Sequence, residues 1–121
     1  MSEGGASGEA SSSAATGEFV AVLRLDELPP GAKRAFDLAG RSVLVCNAGG
    51  ELFAVDNACT HAGVPLLTGR LRACVLECPL HGGKFDLHDG RPVAGPPRRA
   101  LACHEVRVDE GWVAVRVARQ D

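Results

Sequence analysis

From Phe19 onward the apolar residues come in short runs broken by turn signals, the pattern of β-strands rather than of helices. FVAVLRL (19–25) ends at DELPPG, where Pro29, Pro30 and Gly31 stop any regular element. Residues 32–38 lead to Ala39-Gly40. RSVLVCN (41–47) and ELFAVD (51–56) then flank Ala48-Gly49-Gly50 and read as a hairpin. RLRACVLEC (70–78) is a further strand, followed by GKFDL (83–87) and the turn signal His88-Asp89-Gly90. Beyond a Pro-rich segment at 93–97 come HEVRV (104–108) and WVAVRVA (112–118), separated by Asp109-Glu110-Gly111. The last two alternate Val with polar residues, as half-buried antiparallel strands do. Helical periodicity is weak throughout. The expectation is all-β, an antiparallel sandwich or barrel.

Residues 1–17 are Gly, Ser, Ala, Thr and Glu apart from Met1. Nothing there is large and apolar enough to offset ordering entropy, so a disordered tail is expected over 1–17 and one folded domain over 18–121. The whole chain has 121 residues, 45% of them hydrophobic, enough for one modest core and too few for a multi-domain enzyme. Thirteen basic against fifteen acidic residues leave a net charge of −2, without the basic footprint of a nucleic-acid binder. No apolar run approaches the roughly 18 residues of a membrane helix. The N-terminus has neither a positive n-region nor an apolar h-region, nor the arginines of a mitochondrial presequence, and the expected compartment is the reducing cytoplasm. Five cysteines are an odd number, so they cannot all pair within one chain.

The informative feature is Cys59-Thr60-His61, then 16 residues, then Cys78-Pro79-Leu80-His81. Each half puts a thiol and an imidazole two or three residues apart on turn-like sequence, so one loop can bring both to a metal centre. Two such loops supply two sulfurs and two nitrogens, a complete ligand set. Gly63 follows the first pair, and Pro79, Gly82 and Gly83 surround the second. Glycines let backbone N–H groups turn toward sulfide or thiolate. A tetrahedral zinc accepts these ligands. The common zinc-finger order, however, pairs like with like and hangs the histidines on a helix. The mixed order here suits a two-iron cluster gripped from both sides.

With CTHAGVPL around the first pair and ECPLHGGKFDLHDGRPVAGPP around the second, residues 19–119 resemble the Rieske iron–sulfur domain. The resemblance implies a Rieske (ISP-like) antiparallel β-sandwich or barrel, with an inserted cluster-binding loop subdomain near 57–88. It implies one [2Fe–2S] cluster per chain, with Cys59 and Cys78 on the buried iron and His61 and His81 on the outer one. Gly95-Pro96-Pro97 resembles the loop that covers the cluster. Members in quinol-oxidising complexes carry two further cysteines, bonded as a disulfide across the loops; Val64 and Leu80 stand at those places here. Those members also carry hydroxyl residues that hydrogen-bond the sulfurs, where this chain has Gly83 and Phe85. Fewer such bonds imply a low-potential centre.

The large oxygenase subunits add a mononuclear iron held by two histidines and a carboxylate. Only His88 and His104 remain here, both inside the same domain. The chain therefore resembles the soluble Rieske ferredoxins, which are not enzymes themselves. The resemblance implies a carrier of single electrons from an NAD(P)H-dependent flavin reductase to a terminal oxygenase that acts on an aromatic compound, with docking expected at the exposed His61/His81 end. Two alternatives stay open: a small Rieske subunit of a nitrite reductase-like complex, and a zinc-stapled interaction module. A redox-sensing role is a third.

The remaining candidates have plainer readings. Cys46, Cys74 and Cys103 sit in or beside strand-like runs and read as small buried hydrophobes, not a second metal site. His88 reads as an exposed turn residue, His104 as half exposed, and Trp112 as packed in the core of a Val-rich strand. Arg70, Arg72, Lys84, Arg91, Arg98 and Arg99 outnumber Glu77, Asp86 and Asp89 between 57 and 99, which fits either a mildly positive cluster end facing an acidic partner patch or an evenly spread, solvated surface.

Overall fold

The computed structural model describes residues 18–118; the expected tail at 1–17 lies outside them. Ten strands form two antiparallel sheets. In chain order they are β1 (Val20–Arg24), β2 (Lys33–Leu38), β3 (Arg41–Ala48), β4 (Glu51–Asp56), β5 (Leu71–Arg72), β6 (Val75–Glu77), β7 (Lys84–Asp86), β8 (Pro92–Ala94), β9 (Cys103–Asp109) and β10 (Trp112–Arg116). A six-stranded sheet, strongly curved and barrel-like, runs β1-β10-β9-β4-β3-β2. A four-stranded sheet, β5-β6-β7-β8, is inserted between β4 and β9. The described residues contain no helix long and apolar enough to cross a membrane.

Turn chemistry sets the register. Leu38 pairs with Arg41 across Ala39 and Gly40, at φ 53° and 77°. Asp109 pairs with Trp112 across Glu110 and Gly111, at φ 52° and 85°. Two left-handed residues in succession match the twist of the flanking strands, so both hairpins close in two residues. The run RLRACVLEC does not form the single strand its composition predicts. Arg72 pairs with Val75, and the turn between them holds Ala73 at φ 52° and exposes Cys74 to a neighbouring loop. The Pro-rich segment also holds a strand, β8, which pairs with β7.

The hairpin β3–β4 is a wall between two cores. Val43 and Val45 face one cluster with Leu23, Leu28, Ala54, Val113 and Val115, inside the curved sheet. Leu44, Cys46 and Val55 face the other, with Cys59, Leu66, Leu76, Cys78, Phe85 and Leu87. Alternate side chains of one strand feed opposite faces. This is why 43–46 reads as an unbroken apolar run: both faces are covered. The inserted sheet thus rests on the back of the larger one, and that second core forms the floor beneath both Cys loops.

Two expectations fail here. Trp112 is not core: it is 41% exposed, with the Arg24 guanidinium 5.4 Å above its ring. It lies out of phase with Val113 and Val115, which take the inward positions. His104 is not half exposed, since its side chain is fully buried. Its two ring nitrogens are both engaged, by Asp56 and by the Ala118 backbone.

Candidate metal centre

Two loops leave the second core at one end of the molecule, 57–66 after β4 and 78–83 between β6 and β7. They repeat the same backbone device. Gly63 N–H donates to the Cys59 carbonyl at 2.7 Å, and Cys59 N–H donates to the Val64 carbonyl at 2.9 Å. Gly82 N–H donates to the Cys78 carbonyl at 3.2 Å, and Cys78 N–H donates to the Gly83 carbonyl at 2.6 Å. Both turns place glycine in the left-handed region, at φ 74° for Gly63 and 72° for Gly82, where a side chain would be strained. Equal offsets from each Cys make the loops near copies. That is the physical meaning of the doubled Cys/His motif.

The four predicted residues come together with a sharp division of exposure. Cys59 and Cys78 are 3% and 2% exposed, part of the hydrophobic floor. His61 and His81 are exposed, and their rings meet edge to face with centroids 5.5 Å apart. Thiols point inward and imidazoles outward from the same pair of loops. Among the described residues, the trio whose ligand atoms all lie within 4.8 Å of one another is a different one; Cys59, His61, Cys78 and His81 supply no such trio. Two thiols and two imidazoles presented by matching loops could together hold a metal centre. The donor chemistry agrees, since soft thiolates and imidazoles are the ligands of iron–sulfur centres.

A third segment packs over these loops. A Cβ on Gly83 would lie 2.5 Å from Pro97 Cγ, and a Cβ on Gly95 would lie 2.7 Å from Gly83 Cα. Only bare backbone lets 95–97 lie this close. Thr60 Oγ1 donates to the Arg99 carbonyl at 2.7 Å, joining this segment to the first loop. Asn57 frames that loop at both ends. Its Oδ1 accepts from Leu66 N–H at 2.8 Å, and its Nδ2 donates to Ser42 Oγ at 3.1 Å. Sequence reading missed Asn57 and Thr60, which no local pattern distinguishes from ordinary turn residues. A shallow depression of about 420 Å³ lies beside His61, lined by Thr60, Pro96, Arg98 and Arg99.

Residues 18–105 match the family model of the Rieske [2Fe-2S] domain. The chain belongs to the Rieske family. The ferredoxin component of biphenyl 2,3-dioxygenase from Rhodococcus jostii is 41% identical over 89 residues, 74% of this chain and 83% of that one. The ferredoxin of carbazole 1,9a-dioxygenase from Nocardioides aromaticivorans superposes with a TM-score of 0.79 at 37% identity, covering 86% of this Rieske chain and all of its own. A complex of reduced oxygenase and oxidised ferredoxin in carbazole 1,9a-dioxygenase contains a chain matching at TM-score 0.80 and 32% identity, with 85% and 96% covered. A Rieske domain implies a [2Fe–2S] cluster, and the paired loops are the part of this chain that fits one.

The other cysteines divide three ways. Cys46 is fully buried in β3, and burial pushes its thiol up to about 12. Cys103 is partly buried and also raised, chiefly by burial. Both match the reading of small core hydrophobes. Cys74 departs from it: the β5–β6 turn holds it beside Glu51 and His88. His88 is exposed as expected, and hydrogen bonding to Asp86 raises its pKa.

Proposed function

We propose that this protein is a low-potential Rieske ferredoxin that binds one [2Fe–2S] cluster and shuttles single electrons to a terminal aromatic-ring oxygenase. The observation that carries the reading is the pair of matching loops, with buried thiols beneath exposed imidazoles, in a chain whose relatives are ferredoxin components of dioxygenase systems. Cys59 and Cys78 would hold the inner iron, and His61 and His81 the outer one. When bound, the cluster supplies a one-electron redox couple, made easier to reduce by two neutral imidazoles in place of thiolates.

The chain's own residues do the rest. The floor of Leu44, Val55, Leu66 and Phe85 excludes water from the sulfur side. The segment 95–97 covers the second loop through its contact with Gly83. His61 and His81 open onto the surface, giving the electron a short exit. Around that exit lie exposed Leu80, 54% accessible, and Arg98 and Arg99 beside His61. An apolar contact with a cationic rim suits a partner carrying an acidic rim. A ferredoxin relative is known in complex with its oxygenase, which supports the same direction of transfer here. The electron source on this reading is an NAD(P)H-dependent flavin reductase. Five unpaired cysteines fit a reducing, cytoplasmic setting.

The test is the spectrum of the purified protein with iron and sulfide analysis. A red-brown protein with two irons per chain is expected, whose dithionite-reduced EPR signal averages below the free-electron g value. His61→Ala or His81→Ala should abolish or badly weaken cluster assembly. A colourless protein, or a normal cluster in either variant, would overturn the ligand assignment.

A further inference from the structure

We propose that Glu51, Cys74 and His88 form a second metal site, for a borderline divalent cation of the zinc class, at the opposite end of the β6–β7 hairpin from His81. The ligand atoms of the three residues all lie within 4.8 Å of one another. Cys78 and His81 belong to the loop that joins β6 to β7, whereas Cys74 precedes β6 and His88 follows β7. The two sites therefore share a hairpin but no residue.

Each donor is held by its own local structure. The left-handed Ala73, at φ 52°, turns the chain so that Cys74 leads into β6, and Leu87 N–H donates to the Cys74 carbonyl at 2.9 Å. His88 follows two residues after Asp86, whose Oδ1 accepts both its backbone N–H, at 2.9 Å, and its ring Nδ1, at 2.8 Å. With Nδ1 donating to the carboxylate, the lone pair is left on Nε2. That nitrogen faces Glu51 Oε1 at 3.9 Å. A carboxylate behind a histidine is the arrangement that fixes tautomer and ring plane at metal sites. Phe53 adds a second constraint, meeting the His88 ring edge to face at 5.2 Å. Glu51 and Phe53 are alternate residues of β4 and so share one of its faces.

The donor set chooses the ion. One sulfur, one imidazole nitrogen and one carboxylate oxygen suit zinc and argue against magnesium or calcium, which prefer all-oxygen shells. A tetrahedral zinc needs its nitrogen and oxygen ligands about 3.3–3.4 Å apart, roughly half an ångström closer than the present 3.9 Å between His88 Nε2 and Glu51 Oε1, and the exposed Glu51 side chain is free to move toward the other two donors. Water takes the fourth position. Glu51 belongs to the six-stranded sheet, while Cys74 and His88 flank strands of the inserted one. A bound ion would staple the cluster-bearing sheet to its support.

The test is a titration of the full-length, iron-loaded protein with zinc chloride, followed by calorimetry, metal analysis and the visible spectrum. One zinc per chain beyond the iron is expected, with the visible spectrum unchanged and the melting temperature raised. Cys74→Ala and His88→Gln should each weaken zinc binding at least tenfold while leaving iron and sulfide content intact. Asp86→Asn, which removes only the positioning carboxylate, should weaken it by roughly 10–100-fold. No additional zinc, zinc that bleaches the visible spectrum by displacing iron, or unchanged affinity in both Cys74→Ala and His88→Gln would overturn the site. Missing iron in the starting protein would count against the electron-carrier reading instead, and loss of zinc on Cys74→Ala would still stand on its own.

Discussion

His104 Nε2 donates to Asp56 Oδ1 at 2.9 Å, while Ala118 N–H donates to the other nitrogen of the same ring, Nδ1, at 2.9 Å. Asp56 in turn accepts from Arg41 through its second oxygen. One buried imidazole thus joins β9 to β4, to β3 and to the chain beyond β10. Asp56 also ends the strand that leads into the first Cys loop, so the network anchors that loop's root. His104→Leu would fill the space but leave the Ala118 N–H and one Asp56 oxygen without their partner. A buried group left this way costs about 1–3 kcal/mol; Asp56 stays partly exposed and paired with Arg41, so urea denaturation should show a loss of about 1–3 kcal/mol in total. Stability within 0.5 kcal/mol of the parent, the usual range for surface changes, would contradict the role assigned to this network.

Gly95→Ala should loosen the cover over the second loop. Its φ of 83° is unfavourable for alanine, and the new Cβ would lie 2.7 Å from Gly83 Cα. The left-handed conformation alone costs about 1–2 kcal/mol, and backbone cannot yield to the contact as a flexible side chain would. Faster loss of visible absorbance in air is the expected outcome. Arg91→Ala, on the exposed surface nearby, serves as the control and should lose colour at the parental rate.

Much of this was legible in the residues. The hairpin around Gly49-Gly50 follows from two apolar runs flanking a glycine turn, and the β9–β10 pair from period-two patterning and left-handed turn residues. The doubled Cys/His spacing singled out two loops that the fold brings side by side, because each Cys/His pair sits within one turn. What escaped was tertiary. RLRACVLEC hides a turn because Ala73, not glycine, takes the left-handed position. Trp112 faces outward because the β10 register turns Val113 and Val115, one position out of phase with it, toward the core. His104 is buried because Asp56 and Ala118, distant in sequence, satisfy both of its nitrogens. The Glu51–Cys74–His88 grouping depends on contact between the two sheets, which no local spacing encodes.

Cys46 predicts an alkaline dependence of stability. Its thiol moves from an ordinary 9.0 to about 12, chiefly through burial, with Lys33 opposing. Below pH 9 the thiol keeps its proton in both states, and its contribution to stability is complete. Between pH 9 and about 12 the unfolded chain loses that proton and the folded one keeps it, so stability falls as pH rises. The slope reaches at most about 1.4 kcal/mol per pH unit. Cys46→Ala should flatten the decline seen by denaturation at pH 8 through 11. Parallel curves for parent and variant would show that the fall comes from other groups.

Arg98 and Arg99 predict a salt-dependent encounter. Both line the depression beside His61, so reversing their charge alters a partner's approach without touching a proposed ligand. The double variant Arg98→Glu/Arg99→Glu should slow reduction of the cognate oxygenase roughly tenfold at low ionic strength. The difference should shrink as salt is added, because exposed charges are screened within about 10 Å at 0.1 M. The midpoint potential and visible spectrum should stay at parental values. An equal slowing at all ionic strengths would indicate damage to the loop rather than lost steering.

Gly83 and Phe85 predict the potential itself. The quinol-oxidising Rieske members, from which this chain departs, place hydroxyl groups after the second loop, where they donate to cluster sulfur. Gly83 offers no side chain, and its Cβ position is occupied by Pro97. Phe85 is fully buried in the core shared with Cys59 and Cys78, and it has no polar atom to offer. Fewer donors stabilise the added electron less, so the midpoint should lie toward the roughly −150 mV end of the Rieske range. Phe85→Tyr adds one hydroxyl to that core, and it should raise the midpoint while the EPR signature of mixed nitrogen and sulfur ligation persists. Protein-film voltammetry on both forms decides the matter: a parental midpoint above about +100 mV would mean that donors other than these two positions tune the centre.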